Sequence, residues 1–374
     1  MESNFQSPPL NYSARLLSID FFRGIIMLIL MLGETDIFLK IYEAFPGKVT
    51  FFLYQQFSHS EWEGLHFWDL LLPAFMFVAG ISMAMSYNKQ QKIGVAWSTS
   101  FKKILKRCFW LFFWGVLIYA VKGNHINLQF SNVLVELAVA TLISFLIINL
   151  NIGFQLIVSI IILLATELLF RFSNISGFNQ PFVDLHNFAN YIDVILIGRV
   201  NPHYGTTFNV IPSSVSTIFG LIVGEILLKL MPTRNKILYL TSFGFTALIF
   251  GIFLNSMNIT PILKWVASSS FILTTAGIAI LIFTFCFWWI DIKKHEKYWF
   301  LIKIVSLNSI FIYLFFNFIS SYFLYEYMNI LVAGILNLFG IPIVLGVIFG
   351  SFSVFIIEWY LCYFLYKKGI FFKL

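Results

Sequence analysis

Apolar runs close to the length of a membrane-crossing helix recur along the whole chain. An α-helix needs about 20 predominantly apolar residues to cross the hydrocarbon core of a bilayer. Of the 374 residues, 59% are hydrophobic and 11% are charged, whereas a soluble domain is about one quarter charged. The short alternating segments typical of a membrane β-barrel are not seen in the sequence. We therefore predict an all-α fold, a polytopic membrane bundle of about ten transmembrane helices.

The predicted spans, whose ends are defined to within several residues, lie at residues 18–39, 65–87, 104–121, 131–149, 153–171, 209–230, 237–255, 267–290, 301–323 and 343–366. Most of the 24 Lys and Arg residues fall in segments on the side of the N-terminus, including a run between residues 89 and 107. The positive-inside rule then predicts cytoplasmic termini in an inner-membrane protein. The same bias accounts for the net charge of +7, so no nucleic-acid partner is inferred.

Three long segments, 40–64, 172–208 and 324–342, are then predicted on the external side. Residues 328–340 are apolar but too short to span a bilayer, so a re-entrant or interfacial helix is expected there. No Pro-rich or Ser-rich linker interrupts the chain, and residues 1–374 are predicted to form a single transmembrane domain. The three cysteines show no paired spacing, so neither a disulfide nor a metal site is expected.

Two groups of ionisable residues stand at the predicted membrane boundaries, where charge is costly and usually functional. Asp20 and Arg23 are three residues apart at the start of the first span and share one helix face. They form either an interfacial ion pair with a snorkelling arginine or an anion-binding group at the cytoplasmic mouth. The second group, His59, His66 and Asp69, stands at the external start of the second span, with His59 before it and the other two just inside it.

These two groups belong to motifs that resemble a known family. Residues 16–24 have the pattern L-x-S-I-D-x-F-R-G, and residues 59–70 have the pattern H-x-x-W-x-G-L-x-x-x-D-L. With them, the chain resembles the heparan-α-glucosaminide N-acetyltransferase family. Stretches similar to that family follow in the same order: IPSSVSTIFGLIVG (211–224), TPILKWVASSSFILTTAG (260–277) and SLNSIFIYLF (306–315). The resemblance implies an enzyme that carries acetyl from cytoplasmic acetyl-CoA across the membrane to the amine of a glucosamine-type sugar.

The chain departs from the family pattern at Val135, Glu136, Leu263 and Ala267, and the acceptor sugar is therefore not specified further. The resemblance makes His59 the catalytic residue, as a general base or as a transient acyl carrier. The chemistry agrees, because an imidazole with an ordinary pKa of about 6.5 can accept the proton that a sugar ammonium must lose. Asp69 either orients His59 or binds the sugar ammonium, unless it is only a carboxylate satisfied at a helix N-terminus. His66 is expected to be an interfacial ring.

For the donor, the expected binding residues are Asp20, Arg23, Lys264, Ser269, Ser270 and Asn308. Small polar residues also join helices in bilayers, so the serines and the asparagine have that alternative role. The expected partners are acetyl-CoA, the amino sugar and membrane lipids, with a homodimer left open. Two other functions stay open: an amino-sugar transporter, although no internal repeat is found, and an O-acyltransferase acting on envelope glycans.

Overall fold

The computed structural model describes residues 16–123, 130–200, 205–295 and 299–372. Residues 1–15 and 373–374, which carry the termini predicted to be cytoplasmic, lie outside the described residues. The described chain is helical, and one isolated β-bridge joins Glu63 to Leu263. In this part of the chain, 8 helices are long and apolar enough to cross a membrane. The predicted all-α, polytopic membrane architecture is confirmed.

The chain divides into two compact units. Unit 1 comprises Met1–Ile19, Ser60–Leu65 and Leu72–Lys294, and unit 2 comprises Asp20–His59, His66–Leu71 and His295–Leu374. The helices of unit 1 are α4 (Leu71–Lys92), α5 (Trp97–Gly123), α6 (Val133–Leu146), α7 (Ile152–Phe172), α8 (Phe188–Ile197), α9 (Val210–Leu228), α10 (Thr233–Ser256) and α11 (Ser269–Cys286), which continues as a π-helix over Phe287–Ile292. Unit 2 contains α1 (Leu17–Gly33) from Asp20 onward, α2 (Ile37–Ala44), α3 (Lys48–Gln56), a 3₁₀ helix (Phe67–Leu70), α12 (Phe300–Leu307), α13 (Ser309–Phe315), a π-helix (Phe316–Leu324), α14 (Tyr325–Leu338) and α15 (Ile343–Lys367).

The helices of unit 1 form a centre and a periphery. Nearly every side chain of α9 and most of those of α11 are buried, including the hydroxyls of Ser214 and Thr217. By contrast, α5, α7 and α10 expose long rows of Leu, Ile and Phe. A helix that is apolar on its exposed face is expected to meet lipid, because water would make that exposure unfavourable. The periphery of unit 1 therefore has the composition of a lipid-facing surface.

Helices α4 and α9 of unit 1 touch through their backbones. A methyl group built on Gly80 would lie 2.0 Å from the carbonyl oxygen of Thr217, and one built on Gly220 would lie 2.0 Å from that of Phe77. A methyl group on Gly224 would likewise lie 2.5 Å from the Cβ of Ala84. Only glycine permits this approach, which is the small-residue packing typical of membrane helices.

Two predicted boundaries in unit 2 differ from the structure. The first span was expected to run to residue 39, but α1 ends at Gly33 and α2 begins at Ile37. The chain turns between them at Asp36, which adopts a left-handed conformation with φ 53°. The external loop predicted at 40–64 contains most of α2 and all of α3, which pack on each other, and α2 also packs on α15. Residues 328–338 are helical as part of α14, but they are the end of a continuous helix, Ser309–Leu338, that is long and apolar enough to cross a membrane. The separate re-entrant or interfacial helix expected at 328–340 is therefore not what the structure has.

Candidate active site

His59 and Asp69 are brought together in unit 2 by the chain segments on either side of a short loop. The side-chain carbonyl of Gln56 accepts a hydrogen bond of 3.1 Å from the backbone N–H of Phe67. The carbonyl oxygen of Ser58 lies 3.0 Å from Nδ1 of His66, which donates to it. These bonds close the base of the loop, so His59 on one side faces Asp69 on the other.

The buried carboxylate of Asp69 accepts hydrogen bonds on both of its oxygens. Nδ1 of His59 lies 2.9 Å from Oδ1 of Asp69, and the backbone N–H of His66 donates to Oδ2 at 3.1 Å. A carboxylate accepts only, so Nδ1 of His59 carries the hydrogen and Nε2 carries the lone pair. The side chain of Asp69 is 0% exposed and that of His59 is 44% exposed. The histidine thus reaches outward with a fixed tautomer and a buried acidic partner.

This geometry joins two roles that the sequence left as alternatives for Asp69. The carboxylate satisfies the N-terminus of the 3₁₀ helix through the His66 N–H, and it also orients the His59 ring. Histidine–carboxylate pairs of this kind hold the imidazole in the tautomer that general-base catalysis requires. The arrangement can therefore accept a proton at Nε2 of His59 and stabilise the imidazolium that results.

The Trp68 ring lies between this pair and the end of α1. Its centroid is 6.3 Å from that of His59, and a methyl group built on Gly33 would lie 2.2 Å from the Trp68 ring. The last residue of α1 is therefore in contact with the tryptophan that flanks the histidine. In the fold, Trp68 therefore packs beside the candidate base.

The other end of α1 carries Asp20 and Arg23. Nη1 of Arg23 lies 3.6 Å from Oδ1 of Asp20, and their side chains are 23% and 7% exposed respectively. The predicted ion pair on one helix face is present. From Asp20 to Gly33 the helix rises about 20 Å at about 1.5 Å per residue. One helix of unit 2 thus joins the Asp20–Arg23 pair to the surroundings of His59 and Asp69.

In unit 1, the loop that directly follows His59 is held by residues near the start of α11. The indole N–H of Trp265 donates to the carbonyl oxygens of Ser60 and Glu61, at 3.0 Å and 2.8 Å. Gly64 has φ 118°, a conformation suited to glycine, and its N–H donates to the carbonyl oxygen of Ile262 at 2.9 Å. This role of Trp265 could not be predicted from the sequence, because nothing in the local sequence connects Trp265 to a loop about 200 residues earlier.

The remaining predicted donor-binding residues make contacts within their own units. In unit 1, the Ser270 hydroxyl donates to the carbonyl oxygen of Pro261 at 2.7 Å, and Ser269 reaches that of Leu163 at 3.5 Å. Nζ of Lys264 lies 4.8 Å from the centroid of the Trp265 ring. The Ser270 hydroxyl stabilises the loop before α11, whereas that of Ser269 joins α11 to α7. A contact with the donor remains a prediction for all three residues.

Asn308 lies in unit 2 between α12 and α13 and is fully buried. Its Oδ1 accepts a hydrogen bond of 3.1 Å from the backbone N–H of Phe372, and its amide donates to Ile370 at 3.4 Å. The side chain therefore ties the C-terminal segment to the bundle. Its predicted contact with the donor stays a prediction as well.

A comparison with known protein families assigns the chain. Residues 15–251 match the family described as heparan-alpha-glucosaminide N-acetyltransferase, catalytic. The match covers more than half of the chain and includes both charged pairs. The chain belongs to this family. Membership confirms the resemblance seen in the sequence and makes the protein one of a family of transmembrane N-acetyltransferases, whose substrates are an acetyl donor and a sugar acceptor.

The family match ends before Lys264, Ser269, Ser270 and Asn308, so these four residues lie beyond the matched range. His59, Asp69, Asp20 and Arg23 lie inside it. A search of the curated proteins found no significant relative of the chain.

Proposed function

We propose that the protein transfers acetyl from cytoplasmic acetyl-CoA to the amine of a glucosamine-type sugar on the external side of the inner membrane, with His59 as the general base. The observation that supports this proposal most directly is the His59–Asp69 pair. The buried carboxylate at 2.9 Å directs the lone pair of His59 to Nε2, on a side chain that is partly exposed. Family membership supplies the reaction class.

In the proposed reaction, a sugar ammonium first loses a proton and the resulting neutral amine attacks the thioester carbonyl carbon. Nε2 of His59 accepts the second proton as the C–N bond forms. Collapse of the tetrahedral intermediate breaks the C–S bond, and the imidazolium returns its proton to the departing thiolate. The Asp69 carboxylate stabilises the transient imidazolium charge. The products are the acetylated sugar, CoA thiol and the proton released from the ammonium.

Asp20 and Arg23 lie near one end of α1, and the other end contacts Trp68 beside His59. This separation supports a donor that enters from the side of Arg23. The guanidinium suits the anionic nucleotide end of acetyl-CoA, because Arg binds phosphate with several oriented donors. The long pantetheine arm then has to cover the distance of about 20 Å along α1 to the region of His59. An enzyme arranged in this way moves only the acetyl group to the external side, and the nucleotide stays where it is made.

The test of this proposal uses the full-length protein in proteoliposomes with labelled acetyl-CoA and a panel of sugars. Glucosamine is expected to yield a labelled amide, whereas glucose and N-acetylglucosamine, which lack a free amine, serve as matched negative controls. Labelled esters on all three sugars would instead establish O-acylation. Uptake of unmodified glucosamine without any acetylated product would show that the protein is a transporter and not an acetyltransferase.

The proposed orientation is tested separately. Single cysteines at Lys48, in α3, and Lys368, just after α15, should react with impermeant maleimide from opposite sides of sealed vesicles. The native cysteines Cys108, Cys286 and Cys362 are buried and form no disulfide, so the unmodified chain provides the background. Labelling of both positions from the same side would exclude the proposed topology.

A further inference from the structure

The hairpin of α2 and α3 has one face that is packed and one that is apolar and uncovered. The packed face is aromatic: Phe38 stacks on Phe57 with centroids 3.7 Å apart, and Tyr42 stacks on Tyr54 at 5.7 Å. No residue of α3 is fully buried. The uncovered side chains around α3 are Val49 (72% exposed), Phe52 (57%), Phe45 (56%), Phe51 (47%) and Leu53 (37%).

Such a cluster of exposed apolar side chains is not expected to face water. Soluble surfaces rarely gather this much contiguous apolar area, and where they do the patch meets a membrane or another protein. From Val49 to Gln56 the helix has no charged residue, and its one charge, Lys48, stands at its first position. On α2, Lys40 is paired with Glu43 at 3.0 Å. The charge pattern is that of an apolar strip bordered by groups suited to lipid headgroups.

The position of the hairpin in unit 2 favours lipid as its cover. Helix α2 packs on α15, which is long and apolar enough to span the bilayer. Near its N-terminal end α15 itself exposes Ile343, Val344 and Phe349, which are 59%, 51% and 51% exposed. A spanning helix that exposes such residues faces acyl chains. The hairpin is thus packed, through α2, on a helix that has lipid-facing side chains.

We propose that α3 is an interfacial helix that lies in the headgroup region of the bilayer and buries Val49, Phe52 and Leu53, which share one face of the helix, among the lipids. The partner is the phospholipid surface on the side where α15 begins. His59 follows α3 after only Phe57 and Ser58, and Phe57 packs on Trp68 with centroids 6.2 Å apart. The helix therefore holds the residues next to the His59–Asp69 pair at the level of the membrane surface.

The proposal is tested by spin labels on the full-length protein in nanodiscs of phosphatidylglycerol and phosphatidylethanolamine. Phe52→Cys places a label on the apolar strip, and Lys48→Cys is the matched control on the same helix. The label at position 52 should collide several-fold more often with oxygen, which dissolves in lipid, than with a water-soluble nickel chelate. The label at position 48 should show the opposite preference. Phe45→Cys provides a second reporter if the Phe52 variant fails to fold.

Three results would overturn the proposal. A nickel preference at position 52 would place the helix in water. Exclusion of both reagents together with spin–spin broadening between labels would identify a second copy of the chain as the cover. Exclusion of both reagents without broadening would mean that the strip packs on its own chain. None of these measurements depends on acetyl transfer, so they remain decisive if the protein proves to have another activity.

Discussion

The two charged pairs at the ends of α1 differ in how they are held. Asp20 and Arg23 lie one helical turn apart, at 3.6 Å, and both belong to α1 itself. His59 and Asp69 come from two sides of a loop, at 2.9 Å, and the carboxylate is completely buried. Water still reaches the Arg23 side chain, which is 23% exposed, and such a pair within one turn contributes about 1 kcal/mol. Removing the partner of a completely buried carboxylate costs more. The first pair is suited to binding and release, and the second is suited to fixed orientation.

The largest expected difference between the pairs is in turnover. His59→Ala should lower kcat by about 10²–10⁴-fold, the usual contribution of a positioned base, while acetyl-CoA binding stays nearly unchanged. His66→Ala is the matched control and should reduce turnover far less, because its ring bonds only to the Ser58 carbonyl among the contacts described above. Steady-state kinetics with both variants check this. Near-normal turnover in His59→Ala would show that His59 is not the catalytic base.

Asp69→Asn tests the fixed orientation of the histidine. The amide keeps the shape of the carboxylate but removes its charge, which stabilises the imidazolium. A hydrogen bond to a charged group contributes about 1.5–3 kcal/mol, so turnover should fall by about 10- to 100-fold. The decline in rate at acidic pH, where the imidazole is protonated, should also shift in this variant. An unchanged pH profile with normal turnover would reduce Asp69 to a helix cap.

Gly33→Ala tests whether the end of α1 positions the histidine through Trp68. The new methyl group would lie 2.2 Å from the Trp68 ring, so the ring must move. Because small displacements near a reacting group are costly, turnover should fall by about tenfold. Gly334→Ala in α14 is the control, since no atom lies within 4 Å of its methyl group. Equal effects of the two substitutions on turnover would show that Trp68 does not position His59 for catalysis.

Arg23→Ala tests the binding role of the other pair. The KM for acetyl-CoA should rise by about fivefold, as expected for loss of a partly exposed charge contact of about 1 kcal/mol. The KM for the sugar and the kcat should stay the same, and Arg23→Lys should recover part of the affinity. A parallel loss of donor affinity, sugar affinity and thermal stability would make the Asp20–Arg23 pair structural.

The smallest expected effect concerns the turn that follows α1. Partial desolvation raises the pKa of Asp36 above its usual range although the residue is exposed, and nearby Lys40 partly offsets this. The folded protein therefore disfavours the ionised carboxylate, and stability is lost as pH rises through that raised pKa. Asp36→Asn, which also suits the left-handed backbone, should gain less than about 1 kcal/mol at neutral pH and nothing in acid. Melting temperatures of the wild-type protein and of Asp36→Asn, measured from acid to neutral pH, give this difference in stability.

The same comparison explains what the sequence could predict. The Asp20–Arg23 pair follows from helical spacing, since residues three apart share a face, and the apolar runs located the long helices. The left-handed turn at Asp36 could not be foreseen, because neither Gly nor Pro occurs between Gly33 and Phe45. Helices as short as α2 and α3 depend on tertiary contacts such as the Phe38–Phe57 stack. The bonds from Trp265 to Ser60 and Glu61 are equally invisible without the fold.

The backbone contact between α4 and α9 has a consequence for motion. Sliding either helix by one turn would bring larger side chains against the sites now occupied by Gly80 and Gly220, where even a methyl group does not fit. The two helices must therefore travel together or not at all. A transporter that alternates access needs some of its helices to rock past others around the substrate. The crossing instead fixes α4, which follows the 3₁₀ helix of Asp69 in the chain, against α9. Any helix movement during turnover is then expected at other helices.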